Sequence, residues 1–288
     1  MDTLNILAFG ASRNIGYLSA VRLLENGATV TFLLRTPAVF DKDALIQRHL
    51  KSGKARLVKG DATNEADTRR AWEEAGVVDA WPILVNFFAG IDLLCVGGVP
   101  SFSISKGMTI NPHNLVTQCV LNVLCSMPTY NNAPQPRIIA ISSIGLSPAG
   151  HKALPCLMKP LYSMLDSDGG PHKDKVGLER VLYHCAGWAW EPTIEEPGAD
   201  IMGEGWMHRP GLPPSGTLKR VLVVRPAWLT DGKCVADEVQ ATGKGKSYRV
   251  SQEELGGYTV SRRDIAHFVV DALTRWDEFE NKHVNVGY

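Results

Sequence analysis

The chain predicts an α/β fold built on a parallel sheet covered on both faces, and three observations carry that expectation. The first apolar run, 4–9, passes through a glycine turn straight into a helix-patterned stretch, 15–25. Strand-like and helix-like stretches then alternate for most of the 288 residues. The strand-like runs are continuous in apolar residues, as in strands buried on both faces, and parallel strands need crossover connections between them.

Each element follows from its own pattern. After the opening unit, 28–35 ("ATVTFLLR") reads as a strand, Ala44–Lys51 as a helix, 55–61 ("ARLVKGD") as a strand and 65–75 as a helix. The run 91–98 ("IDLLCVGG") is the expected fourth strand, 115–127 a helix and 137–143 ("RIIAISS") the fifth strand. Residues 172–184 are helix-patterned, and 219–226 ("KRVLVVRP") is a sixth strand. Ser261, with Asp264 three residues on, has the spacing of a capping box and starts a helix to about Trp276; 283–287 is a last strand.

Two stretches break the alternation. Residues 147–170 are rich in Pro, Gly, Leu and Met, and 187–217 carry Trp188, Trp190, Trp206, Met202 and Met207 among prolines and glycines. Long irregular segments in compact domains are usually functional loops, and aromatic content argues against disorder. Both are expected to form a substrate lid over one domain spanning 1–288.

Composition narrows the partners. Thirty basic residues balance thirty acidic ones, so no global field favours nucleic acid or a membrane surface. The six cysteines show no C-x-x-C pair and no metal-ligand spacing, and several lie in apolar runs. Reduced thiols, no room for a signal peptide before the first strand, and no apolar run near the ~20 residues of a membrane span lead to the expectation of a cytoplasmic protein.

The opening turn, "FGASRNIG", holds Gly10 for tight bending and Gly16 for close packing of helix on strand, with Arg13 and Asn14 where a dinucleotide fingerprint has its middle glycine. Asn tolerates left-handed backbone, so the turn remains competent to bind an anion at the helix N-terminus. The second strand ends in "LLRTP", with Arg35 where an acidic residue would select NAD. A guanidinium there, with Arg13 nearby, suits a 2′-phosphate, so the expected cofactor is NADP(H).

In order and spacing, "GASRNIG", "LLRTP", "VKGDAT", "LLCVGG", "IIAISSIG", "HKDKVGLERVL", "LVVRPAWLTDG" and "TVSRRDIAHFVVDAL" resemble the atypical short-chain dehydrogenase/reductases, the NmrA-like and NAD(P)H-binding group, over nearly the whole chain. The resemblance implies a Rossmann-type doubly wound sheet with a small C-terminal substrate-binding part. It implies that Gly10, Ser12, Arg13 and Ile15 line the pyrophosphate and ribose, in one turn with Asn14 and Gly16. It puts Arg35 at the 2′-phosphate, Asp61 and Ala62 near the adenine, Val96 and Gly97 beside the nicotinamide ribose, and Pro226, Trp228 and Leu229 around the nicotinamide. Ser142 and Lys175 complete the cofactor set.

Carbonyl reduction needs a proton donor beside the developing alkoxide. The better-known short-chain dehydrogenases place Tyr four residues before Lys. The matching lysine here is Lys175, and the residue four before it is Pro171. Two substitutes remain open: Tyr162, with its phenol lowered by Lys175 or Lys173, and His172, titrating near neutrality. Ser142 or Ser143 would hydrogen-bond a substrate oxygen. The aromatic, Met-containing segments lead to the expectation of a bulky apolar substrate: a carbonyl, enone or quinone-like compound. Two other activities stay open. One is a non-catalytic, NmrA-like NADP(H) sensor binding a protein partner through 187–217, and the other is redox-neutral epimerisation, isomerisation or dehydration. No metal site is expected.

Overall fold

The computed structural model describes residues 4–76, 82–86, 101–103, 107–109, 111–128, 135–165 and 170–288. The chain runs β1 (Asn5–Phe9), α1 (Asn14–Glu25), β2 (Thr29–Leu34), α2 (Ala44–Lys51), β3 (Ala55–Lys59), α3 (Glu65–Gly76), β4 (Pro82–Asn86), β5 (Ser101–Ser103), β6 (Gly107–Thr109) and α4 (Leu115–Cys125). It continues with β7 (Ile138–Ile141), α5 (Pro148–Ala153), α6 (Lys159–Leu165), α7 (Pro171–Ala186), α8 (Ala199–Met202), β8 (Val221–Pro226) and β9 (Trp228–Thr230). It closes with α9 (Val235–Thr242), β10 (Arg249–Ser251), β11 (Thr259–Ser261), α10 (Arg262–Thr274), α11 (Trp276–Phe279) and β12 (Lys282–Gly287).

Among the described residues, eight strands form the main sheet in the order β3-β2-β1-β4-β7-β8-β12-β10. Every neighbouring pair is parallel except β10 with β12. From β1 the chain first steps outward to β2 and β3, then returns to lay β4 on the other side of β1. This reversal is a topological switch point, where the carboxyl ends of β1 and β4 leave a crevice.

Alternate strand residues feed two cores, as the two-residue strand period requires. Ile6, Ala8, Val30, Phe32, Ile139, Ile141, Leu222 and Val224 pack with α1 and α10 on one face. Leu7, Phe9, Leu33, Ile138, Ala140, Val221 and Val223 pack with α3, α4 and α7 on the other. Both faces are covered, which explains the unbroken apolar runs.

The fourth strand is a correction. The expected run 91–98 lies outside the described residues, and the strand paired with both β1 and β7 is Pro82–Asn86. "PILVN" is as apolar as "IDLLCVGG", and its proline occupies the first strand residue, where a missing N–H is tolerated. The capping box at Ser261 forms: the Asp264 N–H donates to Ser261 Oγ at 2.9 Å, and Ser261 Oγ donates to Asp264 Oδ2 at 2.8 Å. That helix ends at Thr274, and Trp276 opens the short α11. Among the described residues, no helix is long and apolar enough to cross a membrane.

Candidate active site

The turn after β1 takes the conformation that its sequence permits. Gly10 has φ +66° and Asn14 φ +54°, so asparagine occupies the left-handed region otherwise favoured by glycine. Arg13, extended at φ −163°, precedes α1, and no side chain caps that helix. The first N–H groups of a helix lack an acceptor one turn back within the helix, and the helix dipole adds partial positive charge at that end. Ile15 and Gly16 are buried beneath the turn, Ser12 and Asn14 are half-buried, and Gly10 and Arg13 are exposed.

Parallel register brings the other expected cofactor residues to the same end of the sheet. Phe9 lies opposite Leu33, and Leu34 opposite Lys59. Gly10, Arg35 and Asp61 therefore follow three adjacent strands. Arg35 is exposed, and Asp61 and Ala62 are half-buried. The Asp61 carboxylate accepts from the Thr63 N–H and Oγ1, both at 2.9 Å. The Ala62 carbonyl accepts from Asn122 Nδ2 at 3.1 Å. A helix start preceded by Arg13, with Arg35 at the end of the neighbouring strand, brings together residue types that suit a polyphosphate. Val96 and Gly97 lie outside the described residues.

A second group gathers beyond β7 and β8. A small cleft, partly open to solvent, is lined by Ser142, Ser143, Tyr162, Leu165, Pro226, Ala227, Trp228 and Leu229. The ring centroids of Tyr162 and Trp228 are 6.1 Å apart in an edge-on arrangement. Tyr162 and Leu165 come from α6, within the irregular stretch 147–170. Gly145, at φ +77°, brings the chain so close to Tyr162 that a Cβ there would meet its ring at 3.0 Å.

The proton-donor expectations need correction. Among the described residues no cation lowers Tyr162; burial raises its phenol above the ordinary value, so the hydroxyl stays protonated at neutral pH. His172 lies 5.4 Å, centroid to centroid, from the Tyr162 ring and is buried, and its Nε2 has no hydrogen-bond partner among the described residues. Burial, followed by His151 and Lys175, pushes its imidazole down to about 3. It is therefore neutral near pH 7 and cannot serve as an imidazolium acid. Lys175 is fully buried and donates from Nζ to the Ile141 carbonyl at 2.6 Å. Burial lowers it to about 7, against the opposing pull of Asp174 and Glu179.

Sequence reasoning missed a buried polar network directly behind the cleft. Glu179 of α7 accepts from Ser142 Oγ at 2.5 Å and from Arg225 Nε at 2.9 Å on Oε1, and from Arg225 Nη2 at 2.5 Å on Oε2. Arg225 Nη2 also donates to the Tyr183 hydroxyl at 3.1 Å, and that hydroxyl is 2.9 Å from His283 Nδ1. A signal existed: Arg225 is the lone charge within an otherwise apolar strand, and Glu179 is four residues from Lys175 on the helix.

The segment 187–217 lies elsewhere than over this cleft. Ile201, Met202, Trp206 and Leu212 belong to the core that holds α4 and α7. The Arg180 guanidinium sits 5.5 Å from the ring centroids of both Trp190 and Trp206, and Trp188 meets the Tyr183 ring edge-on at 5.1 Å. Arg209 reaches Asn122 Oδ1 at 2.7 Å. Trp188, Trp190 and Trp206 thus pack against α7, and none of the three lines the described cleft.

Strand order, switch point and left-handed turn together define a doubly wound, Rossmann-type protein. No protein-family model and no curated protein sequence matches the chain. Among solved structures, it is similar to a candidate epimerase from Bacteroides thetaiotaomicron, with 15% identity, a TM-score of 0.53, and 100% of this chain and 98% of that one covered. A short-chain dehydrogenase from Streptomyces avermitilis shares 17% identity at a TM-score of 0.50, over 94% of this chain and 84% of that one. A Rossmann-fold NAD(P)-binding family protein from Shigella flexneri shares 16% identity at a TM-score of 0.49, over 99% and 93% of the two chains. At these identities the likeness is one of fold.

Proposed function

We propose that the chain is an NADP(H)-dependent oxidoreductase that reduces an apolar carbonyl, enone or quinone-like compound. The observation that carries this reading is the cleft itself. A protonated phenol, two strand-end serines and the three apolar residues that follow β8, Ala227, Trp228 and Leu229, line one cleft at the carboxyl end of a dinucleotide-type sheet. The first-turn N–H groups of α1 hold the diphosphate, and Arg35 with Arg13 grips the 2′-phosphate. Pro226, Trp228 and Leu229 flank the nicotinamide, which supplies a hydride when NADPH is bound.

The chain's own residues then divide the remaining work. Trp228, Leu229 and Leu165 exclude water around an apolar ligand, which strengthens any hydrogen bond made there. Tyr162 donates its O–H toward the substrate oxygen, with Ser143 as a second donor. Its raised affinity for the proton makes it a hydrogen-bond donor rather than a strong acid. An enone or quinone suits this arrangement, because solvent completes protonation of the product.

A second reading, a non-catalytic NADP(H)-responsive protein, is favoured by one observation: neither Lys175 nor His172 belongs to the described cleft wall. One experiment separates the two. The purified protein is mixed with NADPH and a panel of apolar ketones, enones and quinones, and the nicotinamide absorbance is followed. Consumption that Tyr162→Phe slows and His172→Ala leaves unchanged supports the reductase. Tight nucleotide binding without turnover across the panel favours the sensor, and product without net cofactor oxidation favours redox-neutral chemistry.

A further inference from the structure

Ser142 lines the cleft, yet its proton is already committed. Its Oγ donates to Glu179 Oε1 at 2.5 Å. Glu179 cannot reverse that bond, because the Arg225 guanidinium presents N–H groups to both of its oxygens. The pair is out of solvent, with Glu179 1% and Arg225 8% exposed, so water does not compete for it. Arg225 is held in turn by Tyr183, whose hydroxyl accepts from Nη2 at 3.1 Å. A hydroxyl has one donor and two acceptor lone pairs. With its donor directed into the protein, Ser142 has only acceptor capacity left for the cleft. Ser143 differs: it is half-buried, and its Oγ donates to the adjacent Ile144 carbonyl at 3.1 Å, a bond that rotation of the side chain exchanges for another.

We propose that Glu179 is a positioning residue that fixes Ser142 as a hydrogen-bond acceptor, so that the ligand group meeting Ser142 carries an O–H or N–H. This rests on the reading of the cleft as the nicotinamide and substrate site. It corrects the expectation that Ser142 donates to a substrate oxygen and leaves that task to Ser143 and Tyr162. Two ligands carry such a donor at this place: the carboxamide of the nicotinamide, and the hydroxyl of a bound alcohol.

Calorimetric titration with two probe pairs tests it. The first pair is NADP⁺ and its 3-acetylpyridine analogue, in which a methyl group replaces the amide NH₂. The second is 1-indanol and 1-indanone, titrated into the protein with and without NADP⁺. The wild type is expected to prefer the donor-bearing member of one pair by about fivefold, the worth of one neutral hydrogen bond, and Ser142→Ala to abolish that preference. The affected pair identifies whether cofactor or alcohol supplies the donor.

Glu179→Leu combined with Arg225→Met removes the buried ion pair as a unit, a replacement that cores often accept. Ser142 is then released, and the preference is expected to swing toward the acceptor member of the same pair. A merely structural role for Glu179 would lower both affinities together and leave their ratio alone. Preferences unchanged by Ser142→Ala, or no binding of any of the four probes, overturn the proposal. Absence of heat with both nucleotides, alongside a retained indanol preference, sinks the cofactor reading alone.

Discussion

Gly177 of α7 and Thr117 of α4 lie so close that a Cβ on the glycine would come within 2.3 Å of Thr117 Oγ1 and 2.6 Å of Ile201 Cγ2. The contact is reinforced one turn away, where the Asp174 carboxylate accepts from the Val116 and Thr117 N–H groups at 2.7 and 2.8 Å. In an open helix, Gly→Ala gains about 1 kcal/mol. Here overpacking costs about 1–3 kcal/mol and wins. Gly177→Ala is therefore expected to lower the urea midpoint; a raised midpoint would mean that α4 and α7 are not packed this tightly.

Asn14 offers a test of backbone conformation. At φ +54°, residues with a Cβ and no compensating polarity are strained by about 1–2 kcal/mol. Asn14→Gly is expected to cost less stability than Asn14→Ala, and Asn14→Val most. Equal losses for Gly and Ala in denaturant melts would place this residue outside the left-handed region.

The acid limb of stability should carry a His172 signature. The imidazole is held at about 3 in the fold against 6.5 in the unfolded chain. Between those values the unfolded state binds more protons, so stability falls as pH drops, by up to about 1.4 kcal/mol per pH unit. His172→Leu removes that contribution. Thermal melts should show the variant gaining on the wild type as pH falls from 6.5 toward 3, and parallel curves would contradict the burial.

Lys175 predicts the opposite end of the scale. The folded protein releases its proton near pH 7, whereas the unfolded chain keeps it to about 10.5. The unfolded state therefore binds more protons across that interval, and this residue's contribution rises with pH. The stability of Lys175→Met relative to wild type should be most favourable at pH 7 and below and decline toward 10.5. A pH-independent difference would show that the ammonium is solvated.

Arg35 tests nucleotide choice. If its guanidinium grips a 2′-phosphate, Arg35→Ala should weaken NADPH by about ten- to hundredfold, the worth of a charge-assisted hydrogen bond, and leave NADH nearly unchanged. Equal losses for both would remove Arg35 from the phosphate.

Much of the fold was legible because burial leaves a periodic trace. The opening strand, the Ala44–Lys51 helix, the Ser261 cap and the strand entering Pro226 all follow from local pattern, and so does the left-handed asparagine. The fourth strand was not legible because 82–86 and 91–98 satisfy the same apolar criterion, and the pairing of 82–86 with β1 and β7 is a long-range relationship that the local pattern does not carry. The destination of 187–217 was equally hidden: Trp and Met compose a lid and a helix-covering cluster alike. Tyr162 and Ser143 were found at the cleft, but their protonation depends on burial, which no local pattern reveals. The Glu179–Arg225 pair joins residues 46 positions apart, and such long-range complementarity has no one-dimensional signature.

Because Arg180 is clasped between two indoles, the aromatic-rich stretch behaves as cladding bolted to the outer helices. On the proposed reading, selectivity at the cleft rests instead on α6, which brings Tyr162 and Leu165 to its lining. Swapping side chains along 159–165 is the direct route to altered preference, and reshaping the tryptophan cladding should change the durability of the domain while leaving its taste in ligands alone.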